Sequence, residues 1–391
     1  MKSFDFYSPT HFVFGKDREN EVGKYVKENG GSKVMLVYGG KSAKSSGLLD
    51  RIEASLKETG IDYIEWGGIK PNPVSTPVYE GIELGRKEGI DFMLAVGGGS
   101  VIDTAKAIAM GIPYDGDFWD FFTGKDPEGA LPIGVVLTIA AAGSEGSPDA
   151  VITNDKTLDK NGAGGDCIRP KFSILNPALT QTLPPYQTAC GISDIISHAF
   201  ERYFTNTPDV EVTDRLLEGL VKSVIHEGKR AMEDPDNYEA RANIMWAGMV
   251  VHNNIMGVGR DQDWNSHHLE HVLSALYDVA HGAGLAVIMP SWLEYCATHG
   301  GETRIAQMAT RIFGCEMDFA DPKRTALEGV KAYRAFLKEI GMPLTFAEIG
   351  AKKEDIPKLV EMNHIGDGVT GGFIGLDKQA HFDIYEIAAR E

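Results

Sequence analysis

From about residue 33, short apolar runs alternate with segments of helical periodicity, and this alternation constrains the fold more than any other feature of the chain. KVMLVYGG is a short apolar run ending in glycines, SGLLDRIEASLKETG has helical spacing, DYIEW is a run again, and VYEGIELGRKEG is helical. DFMLAV, VIDTAKAIAM and LPIGVVLTIA continue the series. A βαβα order calls for a parallel sheet, because parallel neighbours need crossover connections, and helices then cover both faces. After Asn176 the character changes. LPPYQTACGISDIISHAFERYF opens a long run of helical segments with few strand-like stretches, and Pro184-Pro185 is the natural boundary. The expectation is a doubly wound α/β domain over residues 1–183 and an all-helical domain over 184–391. A chain of 391 residues also exceeds what one hydrophobic core usually serves.

Apolar residues make up 43% and charged residues 24%, ordinary values for a globular protein. With 38 basic against 56 acidic side chains the formal net charge is −18, which excludes general affinity for nucleic acid or anionic lipid. An anionic ligand therefore needs a local site. The N-terminus lacks the unbroken apolar stretch of a signal peptide, and no segment approaches ~20 uninterrupted apolar residues. The cysteines Cys167, Cys190, Cys296 and Cys315 form no CxxC pair or cluster. A cytoplasmic location is expected.

DFMLAVGGGSVIDTAK places three glycines between a buried strand and a helix, with Ser100 in a capping position. A helix N-terminus offers unpaired N–H groups and partial positive charge, and glycines let a phosphate approach closely. A tight βα turn is the plainer alternative. At the end of a nucleotide-domain strand, an Asp or Glu commonly takes the ribose 2′-hydroxyl of NAD. Here the first strand ends in Gly39-Gly40, followed by Lys41, Ser42 and Lys44. The acid is absent, and the surroundings suit the 2′-phosphate of NADP(H) better than NAD(H).

In GISDIISHAFERYF, Asp194 and His198 stand four apart on one helix face. DWNSHHLEHVLSALYDVAHGAGLA adds His267, His268, His271 and His281, four of the chain's 11 histidines. One carboxylate with two or three imidazoles suits a divalent first-row metal such as Fe²⁺ or Zn²⁺, whereas Ca²⁺ and Mg²⁺ want oxygens. Ordinary core or surface histidines of a helical domain would read the same way.

FYSPTHFVFGK, PNP at 71 to 73, GGGSVIDTAKAIA, the AGSE loop around 143 to 145, LPPYQTACGISDIISHAFERYF and MWAGMVVHNNIMGVGRDQDWNSHHLEHVLSALYDVAHGAGLA span nearly the whole chain. In these stretches the sequence resembles the iron-containing (group III) alcohol dehydrogenases, closest to their butanol dehydrogenase and NADPH-dependent aldehyde reductase branch. The resemblance implies a Rossmann-like first domain and a metal-binding helical second domain, the dehydroquinate synthase-like architecture. It assigns the metal to Asp194, His198, His267 and His281, with His271 a non-ligand beside the site. It assigns the pyrophosphate to Gly97, Gly98, Gly99 and Ser100 and the adenosine ribose to Gly39, Gly40 and Ser42. Thr138, Ser144, Leu179 and Leu183 would border the coenzyme, and Lys160 would approach its nicotinamide half.

Two stretches depart from the family pattern. IAAAGSE stands where relatives often carry LPATGSE, so Ala141 lacks a hydroxyl, and GVGRDQDWNSH places Asp261 and Gln262 where the pattern has glycines.

The resemblance implies reversible hydride transfer between NADP(H) and a small primary alcohol or aldehyde such as butanol or butyraldehyde, in a homodimer or higher homo-oligomer. The metal, Fe²⁺ or alternatively Zn²⁺, would act as Lewis acid. His271 is the candidate proton relay, because imidazole titrates near neutrality. A zinc-dependent polyol dehydrogenase of the same fold, and a catalytically idle nucleotide-binding assembly, are the alternatives.

Overall fold

The computed structural model describes residues 1–141 and 143–390; Ala142, in the IAAAGSE stretch, lies outside them. The strands are β1 (His11–Phe14), β2 (Lys33–Tyr38), β3 (Asp62–Trp66), β4 (Phe92–Gly97), β5 (Ile133–Leu137), β6 (Asp149–Thr153), β7 (Lys160–Gly164) and β8 (Phe172–Leu175). The α/β helices are α1 (Val22–Glu28), α2 (Ser42–Ser45), α3 (Leu48–Glu58), α4 (Ser75–Glu88) and α5 (Gly99–Gly111). Then follow α6 (Pro185–Tyr203), α7 (Glu211–Glu233), α8 (Tyr238–His252), α9 (Asn265–Tyr277), α10 (His281–Thr298), α11 (Glu302–Arg311), α12 (Pro322–Glu339), α13 (Ile356–Met362) and α14 (Lys378–Ala388). Two compact units result, one of Tyr7–Leu183 and one of Pro184–Glu391 together with Met1–Phe6.

The first unit holds a six-stranded parallel sheet in the order β1-β8-β5-β4-β2-β3. Strands β2 and β4 are buried along nearly their whole length, which is why they read as continuous apolar runs. Alternate residues serve opposite faces: Val34, Leu36 and Tyr38 join Leu49, Ile52 and Leu56 of α3 in one cluster. On the other face α4 comes close through Gly81 and Gly85, where any Cβ would overlap Ile108 and Ile112. After β3 the chain crosses to the far side of β2 to lay down β4, so the ends of β2 and β4 flank the point where strand order reverses. In open α/β sheets that point is where nucleotides bind.

Strands β1 and β8 and the antiparallel hairpin β6–β7 were not among the expected strands. β1 and β8 are four residues each, too short for a period to register, and β7 is KNGAG, held by its ladder rather than by apolar content. The second unit is helical among its described residues apart from one bridge between Thr370 and Leu376. No described helix is long and apolar enough to cross a membrane.

Candidate metal centre and coenzyme loops

Helix α6 starts with Pro185 in its first turn, where a fixed φ and a missing N–H do no harm, and is buried from Thr188 to Tyr203. Asp194, His198 and Glu201 recur at i, i+4 and i+7 and so share a face. Helix α10 packs against α6 through Gly282, where a Cβ would run into the backbone carbonyl of Cys190. That close approach brings His281, the first residue of α10, to 3.8 Å from Asp194 (Nε2 to Oδ1). Asp194, His267 and His281 each offer one ligand atom, all within 4.8 Å of one another. His198 adjoins this trio without belonging to it. Its Nδ1 lies 2.9 Å from Asp194 Oδ1, and its ring centroid is 4.5 Å from that of His267.

Two glutamates that sequence reasoning passed over orient these imidazoles. Glu201 accepts from His267 Nδ1 at 2.7 Å and from the backbone N–H groups of Trp264 at 2.8 Å and His267 at 3.1 Å, and the Ser266 hydroxyl donates to it as well. It thereby caps the start of α9 from another helix, satisfying amides that the helix itself cannot. Glu270 is fully buried and accepts from His281 Nδ1. His198 Nδ1 faces the Asp194 carbonyl oxygen at 3.0 Å. In each case Nδ1 faces an acceptor and so carries the hydrogen, leaving Nε2 with its lone pair.

Burial works against the Asp194 charge, yet His198, and with it His281 and His267, outweigh that and hold its carboxyl at about 2. Burial, followed by His198 and His281, pushes His267 well below the usual imidazole range, so the ring is neutral. An anionic carboxylate beside the neutral His267 imidazole is the kind of donor pair a first-row divalent cation needs. His267 Nε2 is buried and finds no hydrogen-bond partner among the described residues. A buried acceptor without a donor is costly, and a cation would complete it.

His271 is half-buried, with its ring centroid 5.7 Å from that of His281 and 6.4 Å from that of His267; His268 is exposed. The two departures before His267 serve as anchors. Asp261 pairs with Lys2 at 2.5 Å and accepts from the Thr207 hydroxyl, and Gln262 donates to Asn254 at 2.8 Å and accepts from the Trp264 indole at 3.2 Å.

In the α/β unit, Gly97 ends β4, Gly98 takes the cap position of α5 and Gly99 and Ser100 form its first turn. Ser100 therefore lies inside the helix and does not cap it, in contrast to the sequence expectation; Gly98 is extended, and no side chain caps the end. A Cβ on Gly97 would overlap Val101, and one on Gly98 would overlap Ile139. Gly39 and Gly40 follow β2 at the same carboxyl edge, with open space beside Gly40. Thr138 follows β5 and donates its N–H to the Gly97 carbonyl at 3.0 Å; Leu179 and Leu183 lie in the turn beyond β8. Ser42 is exposed in α2. Lys160 begins β7, within 3.4 Å of Asn72 Oδ1.

Ser144 is turned inward: its hydroxyl donates to Asp103 at 2.6 Å and accepts from Lys106 at 3.0 Å. Lys106, fully buried in α5, also donates to the carbonyls of Ser144, Ser147 and Asp149. An inward lysine thus ties the 144–149 loop to the helix behind the glycine turn. Burial lowers its pKa to about 8.

A family model described as iron-containing alcohol dehydrogenase matches residues 9–177, and one described as the C-terminal part of the Fe-containing alcohol dehydrogenase family matches residues 188–388. The NADH-dependent butanol dehydrogenase A of Clostridium acetobutylicum is 41% identical over 375 residues, 95% of each chain. The NADPH-dependent aldehyde reductase YqhD of Escherichia coli is 35% identical over 366 residues, 92% of each. The crystal structure of NADH-dependent butanol dehydrogenase A from Thermotoga maritima superposes with a TM-score of 0.95 at 39% identity, covering 100% of this chain and 99% of that one.

Proposed function

The chain belongs to the iron-containing alcohol dehydrogenase family, oxidoreductases of alcohols and aldehydes, and we propose that it moves hydride reversibly between a nicotinamide coenzyme and a short- to medium-chain primary alcohol or aldehyde. The butanol and butyraldehyde pair is the reading its relatives' names favour. The observation that carries the proposal is the convergence of Asp194, His267 and His281, with a buried His267 Nε2 that no donor satisfies. These three residues would hold Fe²⁺, or alternatively Zn²⁺, with His198 as fourth donor. When bound, the cation supplies a Lewis acid for the substrate oxygen.

The chain's own residues prepare that site. Glu201 and Glu270 hold His267 and His281 in the tautomer whose Nε2 faces inward. Gly97, Gly98, Gly99 and Ser100 would receive the pyrophosphate on the N-terminus of α5, with Gly39, Gly40 and Ser42 along the adenosine ribose. Thr138, Leu179 and Leu183 would border the coenzyme and Lys160 its nicotinamide half. Ser144 would act from behind, through the loop that Lys106 secures. His271, half-buried beside His281, is the proposed proton relay. NADP(H) is the coenzyme that Lys41, Ser42 and Lys44 point to in the sequence, although Lys44 already has a carboxylate partner in Glu65. A homodimer is the proposed assembly.

The test is anaerobic: metal-stripped protein is reloaded with Fe²⁺ or Zn²⁺ and assayed for NADPH and NADH oxidation with butyraldehyde. Metal-dependent turnover is expected. Activity on glycerol alone, with zinc alone, would favour the polyol dehydrogenase reading, and no turnover under any combination would remove the enzymatic proposal.

A further inference from the structure

At the end of β2, where the sequence has no acid, the fold brings one from the neighbouring strand. β3 pairs in parallel with β2, Leu36 opposite Glu65 and Val37 opposite Trp66, and the chain beyond it continues alongside: Gly68 N–H donates to the Gly39 carbonyl at 2.9 Å and Ile69 N–H to that of Tyr38 at 3.3 Å. Gly67 is required there, because a Cβ would overlap the Tyr38 ring. The Tyr38 hydroxyl donates to Glu65 Oε2 at 2.6 Å, and Lys44 Nζ reaches the same oxygen at 2.7 Å while lying 5.2 Å above the Tyr38 ring. The Glu65 and Lys44 side chains remain 37% and 55% exposed, so a ligand can reach both.

We infer that Glu65 is a specificity-determining residue for the coenzyme, selecting against a ribose 2′-phosphate by holding Lys44 and fixing its own carboxylate at the hydroxyl of Tyr38, the last residue of β2 before the Gly39-Gly40 turn. The inference rests on the proposed coenzyme site in this unit. Lys44 is the cation of α2 directly beyond the ribose loop, and a 2′-phosphate would draw on it. Paired to Glu65, it contributes a neutral cluster rather than a positive one, and a dianionic phosphate must either break the pair or lie against a carboxylate. A 2′-hydroxyl meets neither cost and finds an acceptor. Tyr38 fixes the carboxylate, so its position does not depend on two long side chains meeting by chance.

The experiment titrates the purified full-length protein with NADPH and with NADH, without substrate, following coenzyme fluorescence so that the readout does not depend on metal or turnover. In Glu65→Gln the ratio of the NADPH to the NADH dissociation constant is expected to fall by about fivefold to tenfold, the effect of one released charge at a partly exposed site. Adding Lys44→Met to Glu65→Gln is expected to reverse that gain. If both coenzymes bind the wild type and Glu65→Gln leaves the ratio unchanged, the inference fails while the coenzyme site stands. A gain that survives Lys44→Met likewise overturns the assigned route through Lys44. Absence of binding by either coenzyme to the wild type overturns the coenzyme site and this inference with it.

Discussion

Glu270→Gln separates orienting a metal ligand from holding up the fold. Glu270 is fully buried on α9 and accepts a hydrogen bond from His281 Nδ1. Glutamine keeps the volume and can still present an oxygen to that nitrogen, but it removes the charge that makes the imidazole a stronger donor through Nε2. Loss of such a carboxylate partner typically weakens metal affinity by about 10–100-fold, or roughly 1.4–2.7 kcal/mol. The metal-free protein should respond differently, because there the substitution relieves a buried charge while preserving the hydrogen bond, and the net change should stay within about 1 kcal/mol. Chelator competition with Zn²⁺ measures the first quantity, and thermal unfolding of the metal-free protein measures the second. Glu201→Gln is the contrasting variant. Glu201 also accepts from two backbone amides and a hydroxyl at the start of α9, so its loss should lower stability with and without metal by about 2–4 kcal/mol. If Glu270→Gln binds zinc within twofold of wild type, the orienting role is refuted. If it instead unfolds like Glu201→Gln, the residue is structural.

Two further substitutions follow from the packing and the buried charges. Gly282→Ala should drive α10 away from the Cys190 carbonyl, costing about 1–3 kcal/mol and weakening metal binding with it; an unchanged melting temperature and zinc affinity would show that the close approach does not position His281. Burial raises the Glu145 pKa from 4.5 to about 7. Between those values the folded state holds a proton that the unfolded chain has released, so this group makes stability fall as pH rises from about 4.5 to 7, by about 3 kcal/mol in all. Asp103, also raised by burial, acts in the same direction, whereas Lys106, lowered to about 8, adds stability only as pH rises from there toward 10.5. Glu145→Gln should therefore stabilise the protein more at pH 7.5 than at pH 5, and equal effects in urea melts at the two pH values would count against a neutral buried Glu145.

What could be read from the sequence and what could not divide along a physical line. The strands β2, β4 and β5 and helix α6 were legible because their side chains are buried on a local period, and Asp194 and His198 were legible because four residues make one helical turn. Glu201 lies in that same helix and was missed, since its partner His267 is 66 residues away and nothing in the spacing of SHAFERYF tells a capping carboxylate from a solvated one. Glu270 shares a helix with His267 and yet serves His281, on the next helix. Lys106 lies in the helical segment VIDTAKAIAM, where a lysine ordinarily points to water, but the loop over α5 offers carbonyls enough to receive it.

Glu65 carries the point furthest. Residues 39 to 44 hold no acid, but the acid that selects NAD at a strand end is defined by its place in space rather than in sequence. A parallel neighbour one strand over presents its side chains at the same edge, so a carboxylate on β3 can reach the end of β2 from 26 residues further along the chain than Gly39. On the Glu65 inference, coenzyme choice in this sheet is set by two adjacent strand ends together. A glycine after β2 leaves it open until the charged side chains that β3 brings to that edge are known.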